Sequence, residues 1–119
     1  MKYMILIHSN PNLWQSLPKE EVDRVLGEHY RLIDETKKSG ELIRVEGLGW
    51  DQTFVQFQNG VPAVTDGPYS EVKELLAGIF AVDVESLARA VEIAGPISEY
   101  GWVEIRPVME DAGDGDVTG

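Results

Sequence analysis

His29 is the residue best suited to move a proton in this chain of 119 residues. An imidazole held near a carboxylate titrates close to neutral pH and can act as general base or general acid. The stretch Thr65-Asp66-Gly67-Pro68-Tyr69 offers the matching carboxylate. Gly67 reaches backbone conformations closed to other residues, Pro68 fixes its own φ, and Asp66 can bond nearby amides, so a rigid turn is expected there. Such a turn presents Asp66 and Tyr69 in fixed directions, with Asp66 orienting His29 and the Tyr69 hydroxyl donating to a ligand. The plainer alternatives are a histidine satisfied inside the core, an Asx-type corner at Asp66 and an aromatic plug at Tyr69. His8, at a strand end, is a candidate for substrate contact together with Gly67, Pro68 and Tyr69.

Other chemistries find little support. With two histidines, no HxH or HExxH spacing and no cysteine, neither a metal site nor a thiol nucleophile is expected. Gly47-Leu48-Gly49 is not followed by a helical pattern, which argues against dinucleotide binding, and no P-loop or GxSxG occurs. No cofactor is expected.

The elements that must position these groups are legible from periodicity. Residues 2–8 alternate Tyr3, Ile5 and Ile7 against Met4, Leu6 and His8. This predicts a central strand covered on both faces. A helix is expected over residues 18–39, opened by Pro18 and the acids Glu20 and Glu21 and closed by Lys37, Lys38 and Gly40. Its apolar stripe of Val22, Val25, Leu26, Leu32 and Ile33 includes His29, which turns the imidazole toward the sheet. Strands are predicted over 41–48, 53–58, 61–65, 77–84 and 102–109, with Asn59-Gly60 closing a hairpin and Pro62 restricted to an edge or bulge. A helical turn is expected over 70–75 and a second helix over 86–94, ended by Gly95-Pro96. Strand, helix, strand, inserted hairpin, strand, helix, strand is the order of a ferredoxin-like split βαβ fold, an antiparallel sheet with two helices on one face. A second face carrying residues such as Leu6, Phe80 and Val82 would then need a cover, which self-association supplies.

Composition narrows the partners. A formal net charge of −11 and an isoelectric point near 4.4 argue against nucleic acid and anionic membrane surfaces. Residues 110–119, acidic and glycine-rich, read as a disordered tail after a single domain over 1–109. No apolar run has membrane-spanning length, and the absence of cysteine suits a reducing compartment, so a cytoplasmic protein is expected.

An ordered set of segments resembles the DGPF-domain branch of the YCII-related proteins. The carriers are Lys2-Tyr3-Met4-Ile5-Leu6-Ile7, Glu28-His29, Thr65-Asp66-Gly67-Pro68-Tyr69, Lys73-Glu74 with Ala77-Gly78, residues 82–94, and Val103-Glu104-Ile105-Arg106-Pro107-Val108. The resemblance implies a homodimer of the α/β-barrel type with the sheets face to face. It also implies a histidine and aspartate pair, here His29 and Asp66, and some relatives act in dehalogenation-type lyase chemistry. A genetic link to extracytoplasmic-function sigma factors is implied as well. Tyr69 stands where the motif has phenylalanine, and His8-Ser9-Asn10 stands where some relatives carry an acid. Two functions follow as expectations: a cofactor-independent proton-transfer enzyme or lyase acting on a small organic substrate, or a metabolite-binding or regulatory module tied to a sigma factor.

Overall fold

The computed structural model describes residues 1–66 and 74–109. Its elements in chain order are β1 (Lys2–Ser9), α1 (Pro11–Ser16), α2 (Lys19–Ser39), β2 (Leu42–Gly47), β3 (Thr53–Gln58), β4 (Val61–Asp66), β5 (Leu75–Asp83), α3 (Leu87–Ile97) and β6 (Gly101–Pro107). Four strands form an antiparallel sheet in the order β2-β5-β1-β6, and β3 pairs with β4 as a separate ribbon. With the ribbon set aside, this is the α+β strand order consistent with a ferredoxin-like fold.

The near-continuous apolar strands β1 and β5 are the central ones. Tyr3, Ile5, Phe80 and Val82 meet Leu32 of α2 and Ala90, Ile93, Ala94 and Ile97 of α3 in one core. Both helices therefore cover the same sheet face. Phe80 and Val82 were expected on the opposite face, but the pairings Ile5 with Phe80 and Tyr3 with Val82 put all four under the helices. The helix-free face instead carries Met4 and Leu6 with Ile79 and Ala81 opposite them, and Trp102, Glu104 and Arg106 of β6. An all-apolar strand shows no alternation, so its composition could not assign the faces.

Local chemistry explains the element ends. Gly40 closes α2 at φ +84°, where its amide bonds the Lys37 and Thr36 carbonyls. The ribbon turns through Asn59 and Gly60, both at positive φ (51° and 83°), as a type I′ turn demands. Pro62 is tolerated because each strand of a two-stranded ribbon is an edge.

The strands begin or end up to two residues from expectation, β6 for example stopping at Pro107, and the larger departures have local causes. The turn formers after β1 open a short helix, α1, whose first amides are capped by the Asn10 side chain at 2.8 and 3.4 Å, with Pro11 in its first turn. Helix α3 does not stop at Gly95-Pro96 but runs to Ile97. Pro96 lacks the amide hydrogen for an i→i−4 bond and its ring crowds the Glu92 carbonyl, and burial of Ile97 in the core offsets this and holds the turn. Strand β5 begins at Leu75, where a helical turn was expected. The rest of that turn, the corner residues Gly67, Pro68 and Tyr69, and the tail lie outside the described residues.

Candidate functional site

The amphipathic stripe of α2 and the lower ends of β1, β2 and β5 do not meet completely. Between them lies a cavity of about 470 Å³, walled by Ile7, Val22, Leu26, Ile33, Val45 and Ile97 and by the indoles of Trp14 and Trp50. Its origin is in two glycines. Gly47 of β2 pairs with Gly78 of β5, in line with Val45 and Phe80 on the helix-facing side, so two adjacent strands lack side chains where α2 passes. A Cβ on Gly47 would enter open space, whereas one on Gly78 would sit 3.0 Å from the Glu46 carbonyl oxygen. Gly47 thus leaves room, and Gly78 permits close strand approach.

His29 reaches this cavity from α2, one turn beyond the fully buried Val25. Its Nε2 is buried and has no hydrogen-bond partner among the described residues. Burial pushes the imidazole pKa below its ordinary value, and the nearby Glu99 and Glu28 charges offset this only in part. At neutral pH the ring is therefore neutral. It can accept a hydrogen bond or a proton from a molecule in the cavity.

Glu99 also lines the cavity. It is held from α2 by Arg24, whose Nη2 donates to Glu99 Oε2 at 2.5 Å and whose Nε donates to Glu21. Glu21 in turn accepts from the Tyr100 hydroxyl at 2.8 Å. The hydrogen bond from Arg24, and then that from Tyr100, hold the Glu21 carboxyl below the usual range. Tyr100 takes a left-handed backbone, φ +64°. Gly101 follows it where a Cβ would lie 2.1 Å from the His8 carbonyl oxygen. The α3–β6 turn is thus forced tightly against β1. That geometry carries Glu99 to the cavity and Trp14 edge-on to Tyr100, with the Trp14 indole donating to Ser9 Oγ at 2.5 Å.

The histidines lie on opposite sides of the sheet. His8 borders the cavity as part of β1, yet its ring stacks on Trp102 at 3.9 Å, 3.8 Å from Glu104, on the helix-free face. Its Nε2 is buried without a hydrogen-bond partner among the described residues. Asp66 closes β4 opposite Thr53, is exposed, and is not part of the cavity wall. The described chain brings His29 together with Glu99 rather than with Asp66. Gly67, Pro68 and Tyr69, the other predicted contacts, lie outside the described residues. Glu99, Trp14 and Trp50 were not singled out from sequence, and the only signal for Glu99 was the Tyr100-Gly101 pair after a helix. Among the described residues no three His, Cys, Asp or Glu side chains group as metal ligands, and no helix is long and apolar enough to cross a membrane.

The profile of the YCII-related domain matches residues 1–111. The chain belongs to the YCII-related family. An uncharacterized protein of Rhizobium meliloti (strain 1021) is 30% identical to this YCII-related chain over 115 residues, which cover 91% of this chain and 92% of the relative. The α2 histidine and the cavity it faces both lie within the matched family segment.

Proposed function

We propose that this YCII-related protein binds a small, largely apolar organic molecule between α2 and the sheet, and that His29 exchanges a proton with it. The observation that carries this reading is a neutral imidazole on the wall of a cavity of about 470 Å³, with its buried Nε2 left without a hydrogen-bond partner among the described residues. A buried polar atom without a partner is disfavoured in a finished core. A ligand with an O–H, N–H or activated C–H group would satisfy it. In this scheme Nε2 takes the proton, the electron pair stays on the ligand, and Glu99, anchored by Arg24, stabilises the imidazolium that forms. The His29–Asp66 pairing implied by the family resemblance would need an Asp66 carboxylate from outside the described cavity wall, so Glu99 is the acid adopted here.

The same proposal extends to membership of the DGPF branch, a cytoplasmic location, and a homodimer formed through the helix-free face, supported by the apolar, half-buried Met4, Leu6 and Ile79 on that face. A thermal-shift screen of a metabolite library against wild type and His29→Gln tests the cavity reading. Ligands that raise the wild-type melting temperature should lose that effect in the variant, and shifts of equal size in both proteins would refute it.

A further inference from the structure

Among the described residues the β3–β4 ribbon is an arm hydrogen-bonded as a sheet of its own, apart from the four-stranded sheet. Strand alternation puts Val55, Phe57, Pro62 and Val64 on one of its faces, in the cross-strand pairs Val55 with Val64 and Phe57 with Pro62. Val55, Phe57 and Val64 leave 65%, 72% and 63% of their surface in water. An isolated two-stranded ribbon is marginally stable, and a continuous apolar face of this kind marks a contact surface. On the chain's own helix-free sheet face Met4, Leu6 and Ile79 are half-buried and Trp102 is 48% exposed, and among the described residues no helix covers them. The ribbon is not hydrogen-bonded to the four-stranded sheet, and its Val55, Phe57 and Val64 stay in water, so this face of the arm does not lie over the chain's own sheet.

We propose that the arm lies across the helix-free face of a second copy of this chain, with Phe57 and Pro62 against Trp102 of the partner subunit and Asp66 against Arg106 of the partner subunit. Charge and spacing both match. Asp66 ends the apolar arm face four residues after Pro62, and Arg106 stands four residues after Trp102 on the same face of β6. Each span is about 13 Å of extended chain. Neither Asp66 nor Arg106 has a side-chain hydrogen bond or an ion pair among the described residues. Two-fold symmetry makes the contact reciprocal, so two arms and two sheet faces are covered at once. This doubles the apolar area removed from water, toward the roughly 800 Å² per partner of a stable interface.

The inference rests on the self-association proposed above and is independent of the cavity ligand. Sedimentation or light scattering at micromolar concentration tests it. Wild type should be a dimer. Phe57→Asp should weaken the dimer at least tenfold while keeping the wild-type circular dichroism. Asp66→Arg and Arg106→Glu should each weaken it, and the double exchange should recover most of the loss. Because the chain has no cysteine, Phe57→Cys mixed with Trp102→Cys should give a disulfide-linked dimer that neither variant forms alone. A monomeric wild type would overturn both the dimer and the arm. A dimer indifferent to Phe57→Asp, a double exchange no tighter than the single variants, or no cross-link would overturn the arm alone.

Discussion

Replacing His29 with leucine separates a functional imidazole from a structural one. A ring that the fold needs should leave a destabilised protein when removed. The structure argues the reverse, because Nε2 is buried without a partner among the described residues and the neighbouring walls are Val22, Leu26 and Ile33. Burying a polar group without a hydrogen bond costs about 1–3 kcal/mol in proteins. The ring is only half-buried, so the low end applies, and His29→Leu should stabilise the fold by about 1 kcal/mol. For a domain of this size that is a melting-temperature rise of roughly 3–5 °C. The pH dependence supplies a second reading. Burial lowers the folded-state pKa below the ordinary value of 6.5, so below pH 6.5 the unfolded chain binds more protons at this position than the folded one. Its contribution to stability is therefore complete above pH 6.5 and falls as pH drops toward the folded pKa, by at most ~1.4 kcal/mol per pH unit. Urea denaturation at pH 8, 6 and 5 should show this decline in wild type and its absence in His29→Leu. A variant less stable by 1 kcal/mol or more at pH 8 would show that the fold needs the imidazole, and an unchanged pH slope that the decline does not come from it.

Gly47→Leu should fill the cavity from β2, where a Cβ meets open space, and abolish ligand-induced thermal shifts while changing stability by less than about 1 kcal/mol. Glu41 accepts two hydrogen bonds from Arg89, at 2.8 and 2.9 Å, and one from Ser39 at 2.7 Å, and these hold its carboxyl at about 2. That stabilisation is complete above the ordinary pKa of 4.5 and is lost as pH falls toward 2. Its ceiling is ~3 kcal/mol, but solvent screens a pair in which Arg89 is 34% exposed. Glu41→Gln should therefore cost about 1 kcal/mol at pH 7 and almost nothing near pH 2, by urea denaturation. Gly40→Ala, at φ +84°, should lower stability by about 1–2 kcal/mol in thermal melts, because a Cβ in the left-handed region crowds the following carbonyl.

What the sequence revealed and what it hid follow from the range of the interactions involved. Gly40 and Asn59-Gly60 were readable because a positive φ is a one-residue demand, β1 because its apolar run stops at a cluster of turn formers, and α2 because its apolar period is long and regular. Helix α1 was hidden because Asn10 and Pro11 suit both a loop and a helix cap. The extra turn of α3 was hidden because Gly95-Pro96 reads as a helix stop, and the burial of Ile97 that holds the turn past Pro96 is a tertiary contact. His29 was placed correctly on the sheet-facing stripe by its spacing from Val25. Glu99 could not be, since an acid in a surface turn reads as solvated until Arg24, 75 residues away, is seen to hold it.

The cavity itself was illegible for a further reason: it consists of side chains that are missing. Gly47 and Gly78 have no pattern in common along the chain, and only the pairing of β2 with β5 sets them side by side. The same two-residue alternation that aligns them also divides the site candidates. Ile7 faces the cavity, while His8, the next residue, turns its ring to Trp102 on the opposite face, as strand geometry requires. A ligand lodged under α2 therefore meets the His29 imidazole without meeting the His8 ring. The helix-free face, with His8, Trp102 and Arg106, is left for protein contact. Variants at His29 and at Trp102 should accordingly act on separate observables, ligand binding for the first and assembly for the second, with additive effects in the double variant. A strong coupling between them would mean that the sheet does not insulate its two faces.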